Sequence, residues 1–247
     1  MCTTCHVVGA NVVGSRALAA VPGGHVVIGD ARLATPAACA GCHSFPFPGP
    51  PDREPRARMQ DTLAEHERSA AAAKACQHCH MPRVPSRDGG THRNHSFAVQ
   101  ADPSTLARAV EVRGVSLAAG ALRISIAPGV IGHAFPTGDV YRQVEVRATP
   151  VDASGRPRGR SAVAVLGRRF GTVTSPRGPA RVQLDDTRLD RPRTIDLALP
   201  PTTTRARWQV VWQRMPPRVA EFFRMDVRDQ EVVVAEGVAT REVEVRR

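Results

Sequence analysis

The six cysteines of this 247-residue chain fall into three pairs, each followed at once by histidine: Cys2-Thr3-Thr4-Cys5-His6, Cys39-Ala40-Gly41-Cys42-His43 and Cys76-Gln77-His78-Cys79-His80. Thiols one helical turn apart reach the two vinyl groups of a single porphyrin, and the adjacent imidazole then lies under the metal. With this Cys and His content, chance would supply such a motif roughly 0.005 times per chain, so three copies are a signal. They imply three covalently bound haem c groups, attached through Cys2, Cys5, Cys39, Cys42, Cys76 and Cys79, with His6, His43 and His80 as proximal iron ligands. Zinc ribbons pair their C-x-x-C units two per ion and leave three following histidines without a role. A thioredoxin-type motif occurs once, near a βαβ pattern, and a disulfide framework spreads its cysteines along the chain. The first cysteines of the three motifs stand 37 residues apart, although the sequence between them shows little self-similarity.

Six histidines remain to close the irons from the other side: His25, His66, His78, His92, His95 and His133. That is enough for three bis-histidine sites. His25 follows Pro22-Gly23-Gly24 in a loop and is a distal candidate. His66 lies on an expected helix from Arg56 to Ala75, whose Ala-rich run favours helix, and ligand and plain helix surface are equally open there. His78, inside the third attachment loop, is expected to face solvent. His92 and His95 stand three apart and would share a face on a helical turn, with Phe97 available to pack on a porphyrin; His95 ranks first. His133 sits in Gly132-His133-Ala134-Phe135-Pro136-Thr137-Gly138, whose Gly and Pro mark a fixed turn between strands. The distal set is therefore His25, His95 and His133, with His66 and His92 in reserve.

These residues also carry a resemblance. Cys76 through Met81-Pro82, His95-Ser96-Phe97, the turn from Gly132 to Gly138, and Asp185-Asp186-Thr187-Arg188-Leu189 resemble secreted multihaem c-type cytochromes related to the cytochrome c554 group, in the subset with a C-terminal β domain. The resemblance spans most of the chain and implies His95 and His133 as distal ligands. That family often carries four or more haems, whereas three attachment sites stand here.

The elements that must hold these groups divide at about residue 108. The expected fold class is α+β: an irregular, partly helical triheme domain over 1–107, packed on an antiparallel β-sandwich of immunoglobulin-like character over 108–247. The second part alternates with period two at Val110 and Val112; Leu122, Ile124 and Ile126; Val144 and Val146; Val163 and Val165; Ile195, Leu197 and Leu199; Trp208, Val210 and Trp212; Val232 and Val234; Val243 and Val245. It holds no cysteine, nucleophile motif or phosphate loop, and its expected task is to present His133 and shield the haem array. Aromatic residues make up only 4% of the chain, so the haems themselves are expected to fill the interior of the first part.

The chain carries a net charge of +11, from 33 arginines and Lys74 against 23 acids. No dense basic cluster or nucleic-acid motif accompanies this charge, which excludes nucleic acid as the expected partner. Two propionates per haem would bring the ferrous holoprotein to about +5 and the ferric form to about +8, a surface suited to redox partners with acidic faces. No apolar run approaches the roughly 20 residues of a membrane span. Haem attachment of this type takes place outside the cytoplasm, so the expected location is periplasmic or extracellular. Met1-Cys2 leaves no room for an export signal, and the start is expected to lie upstream. The expected function is single-electron transfer between redox partners through bis-His haems, with self-association into a haem chain as a special case. The alternative is a multihaem oxidoreductase whose open iron acts on a small nitrogen or oxygen compound. Six spare histidines favour the carrier over the enzyme.

Overall fold

The computed structural model describes residues 2–19, 24–48, 57–87, 89–97, 102–176 and 178–241. Its first part is made of short pieces: α1 (Cys2–His6), β1 (Val7–Val8), β2 (Asn11–Gly14), β3 (Val27–Gly29), α2 (Ala37–His43), β4 (Ser44–Pro46), β5 (Arg58–Asp61), α3 (Thr62–Glu67), α4 (Cys76–His80), β6 (Arg83–Pro85), β7 (Thr91–Arg93) and α5 (Pro103–Ala107). The second part is built from long strands: β8 (Val110–Ala118), β9 (Ala121–Pro128), β10 (Gln143–Pro150), β11 (Ala162–Leu166), β12 (Arg168–Ser175), β13 (Gly178–Asp186), β14 (Arg193–Ala198), β15 (Arg205–Gln213) and β16 (Glu231–Thr240). A short helix α6 (Pro217–Phe222) joins the last two. The fold is α+β, with its strand content concentrated after residue 108.

Two antiparallel sheets, ordered β14-β9-β8 and β11-β10-β15-β16, organise the second part. Their inward side chains form one core that includes Leu122, Ile124 and Ile126 from β9, Val144 and Val146 from β10, and Val210 and Trp212 from β15. Period-two burial is the reason these segments are strands: β10 alternates strictly, with Val144, Val146 and Ala148 inside. Trp212 is 4% exposed, and its replacement by alanine is expected to cost about 3–5 kcal/mol of unfolding free energy, measurable by denaturant titration.

Several local expectations fail, each for a physical reason. The helix expected over 56–75 is only the six residues of α3; Arg56 lies outside the described residues, and Ala70–Ala73 form turns instead. Ser69 diverts the chain there, because its hydroxyl donates to the His66 carbonyl at 2.8 Å and accepts from the Ala71 N–H at 3.1 Å, an alternative to helix continuation. His92 lies in β7, hairpin-paired with Val84 of β6, and His95 follows in irregular chain, so the two share no helical face. In β11 the valines point outward, Val163 and Val165 being half exposed, while Ala162 and Ala164 pack against the core and Leu166 is buried in it. The β12–β13 hairpin was not anticipated, its glycines and prolines masking the alternation. The strand expected through Val243 and Val245 lies outside the described residues.

The hairpin ties the two parts together. Phe170 of β12 meets Phe47 edge-on at 5.0 Å, and Arg168 donates to the carbonyls of Arg58 at 3.1 Å and Met59 at 2.5 Å. Among the described residues no helix is long and apolar enough to cross a membrane.

Candidate haem-binding site

Each C-x-x-C-H motif closes a short helix: α1 is Cys2–His6, α2 ends at His43 and α4 is Cys76–His80. Helical spacing places the two thiols of each motif on one side. Helices of five to seven residues are far below the roughly 12 at which isolated helices become even marginal. Neither α2 nor α4 has a side-chain hydrogen bond at its N-cap, and neither α1 nor α2 contains a fully buried residue. Local propensity therefore does not account for them.

The three motifs lie near one another. The interaction between the neighbouring Cys39 and Cys76 thiols draws Cys76 down to about 6 and, with burial, pushes Cys39 up. Cys5 and Cys42 lie within electrostatic reach of Cys39, and His43 lies within reach of His80. Among the described residues no three His, Cys, Asp or Glu side chains converge as a bare-ion site, the arrangement a zinc reading requires.

Two imidazole pairs face each other across gaps of similar width. His6 and His95 have ring centroids 6.1 Å apart with planes at 50°, and His80 and His133 have centroids 6.0 Å apart with planes at 28°. A metal–imidazole bond of about 2 Å plus the ring radius places the centroids of two trans imidazoles about 6 Å apart, so both pairs suit an iron between them. Each pair joins a motif histidine to a histidine singled out as distal.

The hydrogen bonds select the nitrogen that would ligate. Nδ1–H of His6 donates to the Val13 carbonyl at 2.8 Å, that of His95 to Arg93 at 2.7 Å and that of His133 to Ala134 at 3.0 Å. A carbonyl on Nδ1 fixes the tautomer with its lone pair on Nε2 and orients the ring, the usual support for a metal-bound imidazole. Burial pushes both His133 and His80 below the ordinary imidazole range, with the charges of His133 and His43 adding to the effect at His80. Both rings are thereby kept neutral, as a metal ligand must be. Phe97 stands edge-on to His95 at 6.3 Å.

The remaining histidines fall elsewhere. His66 is buried, with Nδ1 on the Gly132 carbonyl at 2.9 Å and Nε2 on the Lys74 carbonyl at 2.8 Å, so neither nitrogen is left for iron. This reserve candidate holds the backbone of the His133 turn instead. His25, His43, His78 and His92 are exposed, and among the described residues none faces a second aromatic ring at the spacing of the two pairs. Sequence reasoning missed Glu65, a buried carboxylate beside His66, and its partner Arg188; a lone acid on an expected surface helix gave no signal.

The differing plane angles yield a prediction. Irons held between imidazole planes at 28° and 50° would differ in magnetic anisotropy, so low-temperature EPR of an oxidised haem-bearing protein is expected to show separable low-spin signals. Identical signals from all irons would contradict the two geometries.

A scan against protein-family models matches none, and a search of the curated proteins finds no match. Among solved structures, the chain is similar to a penta-heme cytochrome c552 from Thermochromatium tepidum, at 21% identity and a TM-score of 0.64. The match covers 88% of this chain and 59% of that one, so the chain shares its fold with a little under three fifths of the larger protein.

Proposed function

We propose that the chain is a triheme c-type cytochrome of the periplasm or cell exterior that carries single electrons between redox partners. The observation that carries this is the pair of facing imidazoles, His6 with His95 and His80 with His133, each at the spacing of trans ligands and each beginning in a C-x-x-C-H motif. Cys2, Cys5, Cys39, Cys42, Cys76 and Cys79 hold the porphyrins, and His6, His43 and His80 hold the irons from the proximal side. His95 and His133 close two irons, and His25 is assigned to the third, with His92 in reserve. When bound, each haem supplies a one-electron ferric–ferrous couple.

The protein's own residues do the rest. Tied Nδ1 atoms keep the His6, His95 and His133 imidazoles oriented, so little rearrangement of these rings accompanies a change of one charge. The contact between Cys39 and Cys76 brings the second and third attachment points together, which keeps the transfer path short. Residues 1–107 form the haem domain, and 108–247 form a β-sandwich domain that presents His133 and limits water access on that side, a recognised control on potential. Similarity to a penta-heme cytochrome c552 supports this reading of the fold. The net positive surface steers acidic partners, so reduction by such a partner is expected to slow as salt rises.

Function is tested by reductive titration of the holoprotein followed optically, with carbon monoxide added at the end. The carrier reading predicts c-type bands, one-electron steps and almost no carbon monoxide binding. Fast, stoichiometric carbon monoxide binding by the native protein would instead favour the open-iron oxidoreductase.

A further inference from the structure

We propose that Glu65, Thr137 and Arg188 form a positioning device for the His133 imidazole, so that contacts across the seam between the two parts of the chain tune the iron shared by His80 and His133. This deepens the function proposed above and rests on it.

The Glu65 carboxylate is buried and fully committed. One oxygen accepts from Arg188 at 2.5 Å, and the other accepts from the Thr137 hydroxyl at 2.6 Å. Because Thr137 spends its proton on Glu65, Thr62 must donate to Thr137 across their 2.9 Å contact, giving a relay from Thr62 through Thr137 to Glu65. Arg188 is itself fixed by two bonds to Asp186, at 2.9 and 2.7 Å. Thr62 and Glu65 belong to α3 of the first part, while Arg188 follows β13 of the second.

This cluster grips the turn that carries His133. The turn is held at Gly132 by His66, at Phe135 by reciprocal backbone bonds with Leu189 of 3.0 and 2.7 Å, at Thr137 by Glu65, and at Gly138 by Arg168 at 3.2 Å. His133 lies between the first two points, and its bond to Ala134 sets the remaining ring rotation. A buried ion pair is a weak source of net stability, because desolvation offsets its attraction; what it does supply is one fixed geometry. The residues placed in that geometry are a ligand's immediate frame.

The test compares Thr137→Val with Thr137→Ser in the holoprotein, reading EPR line shape, the potential of each haem and thermal stability. Valine keeps the shape but removes the hydroxyl, whereas serine retains it. The EPR signal and potential of one haem are expected to shift in Thr137→Val and return to native values in Thr137→Ser, with the other two haems unchanged. Lower thermal stability with every signal and potential unmoved would overturn the proposal and leave Thr137 a structural residue only. Should Thr137→Val fail to mature, Glu65→Gln gives the same readout, since it removes the charge that holds Arg188 while keeping an acceptor for Thr137. Failure of the underlying ligand assignment looks different: His133→Ala would then leave every iron low-spin.

Discussion

In the proposed triheme protein, replacing His133 by alanine is expected to convert one iron from low to high spin and to create a carbon monoxide site in the reduced form. His133 faces His80 at 6.0 Å with nearly parallel planes, and its Nδ1–H is bonded to the Ala134 carbonyl, leaving Nε2 for the metal. Alanine has nothing to offer an iron, and the turn around it stays gripped from both sides, so the lost ligand is not replaced by a neighbour. EPR and optical spectra measure the change. Its size should be one haem's share of the low-spin signal, and an unchanged spectrum would remove His133 from the ligand set. His66→Ala separates holding the turn from ligating: both of its ring nitrogens serve backbone carbonyls, so all irons should stay low-spin even though the Gly132 hold on the His133 turn is lost.

The second large effect concerns stability. Among the described residues before 108, Val13 and Leu106 are the only apolar side chains that are fully buried, whereas the β-rich part encloses more than twenty. Burying an apolar side chain contributes about 1.5–3 kcal/mol, so the first part cannot offset the chain entropy of ordering its segments with side chains alone. Changing all six motif cysteines to serine is therefore expected to leave residues 1–107 open to hydrogen exchange and proteolysis while 109–241 stays protected. Equal protection of both parts in that variant would show that the motif-bearing part folds on its own core.

What the sequence disclosed, it disclosed through strong local rules. The C-x-x-C-H spacing marks the six cysteines proposed for attachment, because two thiols and an imidazole in that order have few other uses. Strict alternation revealed β9, β10 and β15, where every second residue must be apolar to meet a core. His95 ranks first beside Phe97 on an expected helical turn that the structure does not form, and His133 stands in a turn marked by Gly and Pro; both lie opposite motif histidines. What stayed hidden depends on contacts between distant segments. Nothing local marks His66 as a holder of backbone rather than of iron, since Gly132 lies 66 residues away. Glu65 and Arg188 are 123 residues apart, and each alone looks like ordinary surface charge. The Ala-rich run misled because propensity is a weak prior that Ser69 and tertiary packing override.

The most direct measurement is peptide-resolved mass spectrometry of the chain matured in a host competent for covalent haem attachment. Three haem additions are expected, one on each peptide containing Cys2 and Cys5, Cys39 and Cys42, or Cys76 and Cys79. A fully matured chain with free thiols at these positions, or with disulfides or bound zinc in place of thioethers, would contradict the account at its root.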